Sequence, residues 1–436
     1  MNQYDHLQLR RAEPHEPRWK PRPPARSPRE YQEFGLELAV ATEKAIEHHK
    51  IRSRPVGVDP ALILRVQTTG YVDEDQWRLA GFTVVESSAD RVLLLFSDNE
   101  ELSEFSKRVE AYRTRQVKKE TQINPPYVWL EAIIPGSVSG LGPEDRVGRA
   151  LQELRTAGGL QPDITYSFDI ELWDLGSRDR NDLKLAELQK FVQQRGGRMP
   201  DRYARDGLVM ARVLLAGSAL EEMLTIPSIA TVDLPPRATL LLAEIDNTML
   251  DNLPNVKSPE PDAPRICVVD SGLTTGHPLL STAVGEAMVA SSSLTSPLDD
   301  NGHGTFVAGI AVYGNIEQCR QNLDFTPKFW IDSARVTNAH GEFDNERLIP
   351  TQMREAITYF ADLGCRIFNI SLGDRKSPYL GGKPSAWADV LDNLAHERDI
   401  LIVVSAGNYE HDALDDVEPI AVLTSTLAFW EARGKW

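Results

Sequence analysis

The chain has 436 residues, 41% of them hydrophobic, and a formal net charge of −17. That length fits two or three domains with cores of their own, and the acidic balance argues against a nucleic-acid partner, whose phosphates need a basic surface. No stretch approaches the roughly 20 apolar residues of a membrane span, so no membrane partner is expected.

Residues 1–30 are polar, basic and proline-rich, without the apolar core of a secretory signal peptide. They read as a disordered tail with too little apolar surface to offset the entropy of ordering. Cys267, Cys319 and Cys365 are too few and too scattered for a disulfide framework or a metal cluster. A cytoplasmic setting is expected.

Beyond the tail, residues 31–49 carry a helical pattern. Strand-like ALILRVQ (61–67) follows, then a short helix over 73–79, strands at 82–86 and 92–96, a helix over 99–112 and a closing strand YVWLEAI (127–133). The order β-α-β-β-α-β predicts an α+β unit over 31–135. A second unit is predicted over 160–236: strand 164–173, helix 182–195, strand GLVMARVLLA (207–216), helix 218–224 and strand IATVDL (229–234). A small antiparallel sheet backed by two helices, ferredoxin-like, satisfies both patterns, because each strand face and helix stripe needs a partner.

Residues 237–263 are acidic and proline-bearing, which marks a linker. The grammar then changes. Strand RICVVD (265–270), helix 303–313, strand 329–336, helix 348–363, strand 365–371, helix 385–396 and strand ILIVVS (400–405) alternate. Apolar strands interleaved with amphipathic helices predict an α/β domain over 264–436, a parallel sheet with helices on both faces. Functional residues of such sheets gather at the carboxyl edge.

Asp270 closes RICVVD and precedes Ser271-Gly272. A carboxylate there can fix the tautomer of an imidazole and stabilise its charged form, although many parallel strands end in Asp for turn or capping reasons alone. His303 lies in Asn301-Gly302-His303-Gly304-Thr305-Phe306-Val307-Ala308-Gly309, where flanking glycines remove bulk from a site of close approach.

In these strings Asp270 and His303 resemble the first and second triad members of the subtilisin-like serine peptidases, the S8 family or subtilases. Val-Val-Asp-Ser-Gly, the later His277-Pro278 and Asn-Gly-His-Gly-Thr match in order and spacing; Phe306 departs, standing where the family usually has a second histidine. Ser371, Leu372 and Gly373, in Asn369-Ile370-Ser371-Leu372-Gly373, resemble the family's substrate-binding segment, where a backbone edge pairs with an extended peptide. Asn408, in Ser405-Ala406-Gly407-Asn408, resembles the oxyanion-hole amide. The resemblance covers about a third of the chain, roughly 264–408.

The family's nucleophile lies in a Gly-Thr-Ser-x-Ala-x-Pro string well after that asparagine. None of the 28 residues following Asn408 spells it, and Thr424-Ser425-Thr426 lacks its glycine and proline. The sequence is therefore expected to be truncated before the catalytic serine, with an incomplete subtilisin-like sheet, and inactive as written. The alternative is a pseudopeptidase that binds peptides or regulates. The resemblance implies a serine endopeptidase acting on protein or peptide substrates. Residues 160–236, ending in LEEMLTIPSIATVDLPP, resemble the inhibitory prodomains that precede many such domains, an intramolecular partner. The chemistry requires no cofactor and no metal. Many members bind calcium for stability, but Asp299, Asp300 and the acidic run over 412–418 have no spacing that assigns a calcium site.

Overall fold

A computed structural model describes residues 28–50, 55, 58–70, 72–88, 92–114, 126–205, 207–236, 256–374 and 384–405. The predicted tail up to residue 27, most of the linker (237–255), Asn408, the 412–418 acidic run and Ser425 lie outside them. The chain divides into two compact units, one comprising Met1–Arg52 and Pro60–Leu141, the other Ser53–Asp59 and Gly142–Trp436.

The first unit runs α1 (Pro28–Lys50), β1 (Leu62–Gln67), α2 (Glu74–Leu79), β2 (Thr83–Ser87), β3 (Val92–Ser97), α3 (Ser103–Arg113) and the two-residue β4 (Ser139–Gly140). Its antiparallel sheet has the order β2-β3-β1-β4, the strand order of a β-α-β-β-α-β fold. Leu62, Leu64 and Val66 point one way from β1 and pack with Phe34 and Leu38 of α1 and Phe105 and Tyr112 of α3. One expectation fails. Residues 127–133 are not the closing strand; Val128–Ala132 form a 3₁₀ turn entered through a left-handed Tyr127. Leu130, Glu131, Ala132 and Ile133 are buried consecutively rather than alternately, and the Tyr112 hydroxyl donates to Glu131 at 3.1 Å. An isolated Thr68–Ile133 bridge and a hydrogen bond from the Thr69 hydroxyl to the Ala132 carbonyl tie the turn to the end of β1, and β4 takes the place beside β1.

In the second unit α4 (Arg149–Thr156), β5 (Thr165–Leu172), α5 (Arg178–Gln194), β6 (Arg198–Arg205), β7 (Leu208–Ala216), α6 (Leu220–Met223) and β8 (Ile229–Asp233) come first. Their antiparallel sheet has the order β6-β7-β5-β8, equivalent to that of the first unit. Phe168, Ile170, Val209 and Val213 pack on Leu188 and Phe191 of α5. Then follow β9 (Arg265–Asp270), β10 (Val284–Val289), α7 (His303–Tyr313), α8 (Ile316–Asn322), β11 (Trp330–Arg335), α9 (Ile349–Asp362), β12 (Ile367–Ile370), α10 (Ala386–Arg398) and β13 (Leu401–Val404).

These last strands form a parallel sheet of order β10-β11-β9-β12-β13. Alternation along β9 sends Val268 to one face, against Ala308 and Val312 of α7. Cys267 and Val269 go to the other, against Met353, Phe360 and Leu394 of α9 and α10. Cys267 and Cys365 are thus core residues whose thiols burial pushes up. The chain leaves β9 towards β11 on one side and reaches β12 on the other, so Asp270 ends a strand beside the reversal of strand order, where such sheets open a crevice. Among the described residues no helix is long and apolar enough to cross a membrane.

The β6-β7-β5 sheet packs on this domain. Tyr203, Leu208 and Met210 join the core that holds α9, and Asp201 accepts from the backbone N–H of Leu348 at 2.8 Å. Leu348 is the N-cap residue of α9 and brings no capping side chain of its own. Asp201 therefore supplies the negative group that the helix start favours. Asp201→Ala is expected to raise hydrogen exchange at the first turn of α9 by about fivefold, the equivalent of a lost cap. Unchanged exchange there would rule out this capping role.

Candidate active site

Two elements bring the sequence-predicted pair together. Asp270 ends β9 with no exposed surface, and His303 begins α7 with its side chain 12% exposed. His303 Nδ1 lies 2.8 Å from Asp270 Oδ1, and the Ser271 N–H donates to the same oxygen at 2.7 Å. The Asp270 carboxylate beside it holds His303 above the usual histidine range; burial acts the other way and loses. With its Nδ1 proton on Asp270, the imidazole keeps the Nε2 lone pair for a proton.

The approach depends on glycine. A Cβ at Gly304 would lie 2.2 Å from the Gly272 carbonyl oxygen, and one at Gly272, whose φ is +113°, 2.6 Å from the Pro297 oxygen. No side chain fits either place.

A second carboxylate, which sequence reading weighed only as a calcium candidate, organises the histidine loop. Asp299 Oδ1 accepts from Ser271 Oγ (2.9 Å), Asn301 N (3.0 Å) and Gly302 N (2.8 Å). Its Oδ2 accepts from Thr305 N (2.8 Å) and Thr305 Oγ1 (2.7 Å). Gly302, the N-cap of α7, has no side chain to offer, so Asp299 caps the helix from outside and ties it to the residue after Asp270. Burial would raise its pKa, but the hydrogen bonds from Thr305, Gly302 and Ser271 outweigh it and hold the carboxyl below its usual range. The sequence signal was an acid three residues before a helix-opening glycine. Asp300 pairs with Arg335 at 2.8 Å. Arg335 is 2% exposed and also donates to the Ser296 and Leu298 carbonyls, fixing the same loop.

Ser371, Leu372 and Gly373 follow β12. In the β9–β12 pairing Asn369 faces Val268, so two residues further along stand Ser371 and Asp270, at one sheet edge. Asn369 Nδ2 donates to Ser371 Oγ at 2.9 Å. Leu372 is 1% exposed, which leaves the backbone of this segment, not that side chain, to meet a ligand.

Three family descriptions match the chain: "Y4kK N-terminal domain" over 32–134, "Y4kK central domain" over 145–234 and "Subtilase family" over 262–429. "Uncharacterized protein y4kK" of Sinorhizobium fredii is 36% identical over 289 residues, 64% of this chain and 89% of that one. Subtilisin BL of Lederbergia lenta is 31% identical over 145 residues, 33% of this chain and 47% of that one. The chain thus spans about half the length of that subtilisin. A solved cold adapted subtilisin-like serine proteinase aligns over 34% of this chain and 48% of that one, at 18% identity and a TM-score of 0.25.

Two predictions follow from the geometry. Because His303 gains its partner on folding, its contribution to stability is fully present below about pH 6.5, the ordinary histidine value, and declines as pH rises through its higher folded value. The stability lost in His303→Gln should therefore shrink as pH rises through that window; a loss that grows with pH contradicts the pairing. Asp299→Asn presents an amide N–H to donors already in place, and is expected to cost on the order of 1–3 kcal/mol in thermal or denaturant unfolding. A variant as stable as the wild type would show that the loop does not depend on Asp299.

Proposed function

The chain belongs to the subtilase family through its 262–429 domain, and from that premise we propose that Asp270 and His303 are the acid–base part of a serine endopeptidase acting on protein or peptide substrates. The observation that carries this reading is the 2.8 Å contact between His303 Nδ1 and a buried carboxylate at the carboxyl edge of the sheet. In the proposed reaction His303 Nε2 takes the proton of a serine hydroxyl as the oxygen attacks the peptide carbonyl, then returns it to the leaving amine. Asp270 holds the ring and stabilises the imidazolium. Acid–base catalysis of this kind contributes roughly 10² to 10⁴ in rate. Among the described residues no serine hydroxyl is hydrogen-bonded to His303, and the reading assigns the nucleophile to a serine outside them. Asn408 is assigned as the oxyanion donor and the Ser371–Gly373 backbone as the edge that pairs with substrate.

The 145–234 domain is read as a prodomain-like partner within the chain. Its sheet packs on the α9 side of the parallel sheet, not the α7 side, and its Asp201 caps α9, which supports a role in completing the peptidase fold.

A fluorophosphonate probe, which captures activated serines, tests the peptidase reading. The 436-residue protein is expected to stay unlabelled, and a fusion extended by the serine-bearing C-terminal part of a subtilisin to be labelled. His303→Ala is expected to abolish that labelling. An extended protein that is folded yet unlabelled would favour the peptide-binding pseudopeptidase.

A further inference from the structure

Four polar contacts of the central sheet with the peptidase domain converge on one short segment, residues 344–348, while Arg354 of α9 separately donates to the Tyr203 hydroxyl at 3.2 Å. Ser167 Oγ donates to the Asn345 carbonyl at 2.8 Å, and Arg198 pairs with Glu346. Asp201 accepts from Leu348 N, and Arg212 Nη1 donates to the Asp344 carbonyl at 3.1 Å. Arg212 has no exposed surface; its Nε and Nη2 donate to Asp169 across the β5–β7 ladder. A buried guanidinium pointed at a single carbonyl is a rigid grip, because neither partner can turn to water instead.

The side chain of that same residue faces the other way. Asp344, 4% exposed, accepts through Oδ2 from Ser291 Oγ (3.1 Å), Ser292 N (2.6 Å), Ser292 Oγ (2.6 Å) and Ser293 N (3.2 Å). Its Oδ1 accepts from Glu346 N at 2.9 Å, which stiffens the gripped segment itself. Residues 291–293 begin the loop that ends at His303. Arg335 and Asp299 fix its far half, and Asp344 fixes its near half.

We propose that Asp344 is a positioning residue for His303, its carbonyl held by the central sheet and its carboxylate holding the start of the histidine loop, so that docking of the 145–234 domain sets the geometry of the catalytic pair. The inference rests on reading Asp270 and His303 as that pair. Coupling runs through two consecutive hydrogen-bonded contacts, that of the Asp344 carbonyl with Arg212 and that of its carboxylate with residues 291–293.

The test uses the full chain with ¹³C-labelled histidine, His303 being assigned among the nine histidines by His303→Gln. Asp344→Asn severs the loop contact. Arg212→Met with Asp169→Leu removes the grip as an apolar pair, a replacement that buried ion pairs tolerate, and changes nothing in the peptidase domain. Both are expected to speed amide exchange over 291–302 by about tenfold or more and to make His303 titrate lower than in the wild type. A His303 titration unmoved in both variants, while exchange over 344–348 confirms that the contact is broken, overturns the proposal. Should the variants not fold, exchange in the wild type under rising denaturant decides: 291–302 and 344–348 must open in one step, and separate openings overturn it. Asp270→Asn is the control. If it too leaves His303 unmoved, the catalytic-pair reading has failed; if it alone moves the titration, only the coupling has.

Discussion

The site depends on how closely the start of α7 approaches the end of β9. Gly304 stands where a single Cβ would meet the Gly272 carbonyl at 2.2 Å, and Gly272 in turn leaves room for the 297–298 backbone. Three chain segments are stacked at backbone contact, and only that stacking lets an imidazole at the first helical position reach a carboxylate with no exposed surface. The same burial gives the contact its weight. A desolvated carboxylate is costly unless it is hydrogen-bonded, and Asp270 Oδ1 has His303 and Ser271 while Oδ2 has no partner among the described residues. The protonated imidazole is the charge that offsets this.

Around the pair, arginine and aspartate do what the local sequence leaves undone. α7 opens with Gly302 and α9 with Leu348, neither of which brings a capping side chain. Each helix start is completed from elsewhere, α7 by Asp299 three residues upstream and α9 by Asp201 from the central sheet. A helix whose cap comes from another domain has its first turn tied to the docking of that domain. The apolar cluster shared by Tyr203, Met210, Met353 and Phe360 makes the same connection through packing. Arg335 extends the principle to a loop. Buried beside Asp270 in the β9–β11 register, it spends its donors on the Ser296, Leu298 and Thr337 carbonyls and on Asp300.

What the sequence made legible follows from how local the determinants are. RICVVD is strand Arg265–Asp270 residue for residue, and the helix from His303 ends at Tyr313 as its pattern predicts, because apolar runs and glycine boundaries act within a few positions. Edge strands were harder. Arg198–Arg205 carries Pro200 and four charged residues and was not recognised; it is an edge strand with a register shift between Arg198 and Asp201, a setting that tolerates proline. Val284–Val289, the opposite edge of the parallel sheet, was missed for a related reason: Gly285 and Glu286 interrupt its apolar pattern where its register also shifts. YVWLEAI misled because alternation cannot reveal a buried glutamate met by a distant tyrosine. Asp299 was visible as a residue but not in its role, since its donors come from both sides of the helix start and from the turn after β9.

The electrostatics of the pair bear on what such a site can do. Asp270 and Asp299 both favour the charged imidazole, the first through its hydrogen bond and the second across the loop, and together they prevail over burial. A general base must be neutral to accept a proton, so a raised pKa carries a cost at low pH. It also makes the neutral ring a stronger acceptor, and an imidazolium beside Asp270 more stable. The arrangement thus favours proton transfer at a pH above the histidine's own value. A surface histidine gains nothing comparable, because solvent screens its neighbours. The glycines that allow the close approach therefore set the basicity of the ring as well as its position.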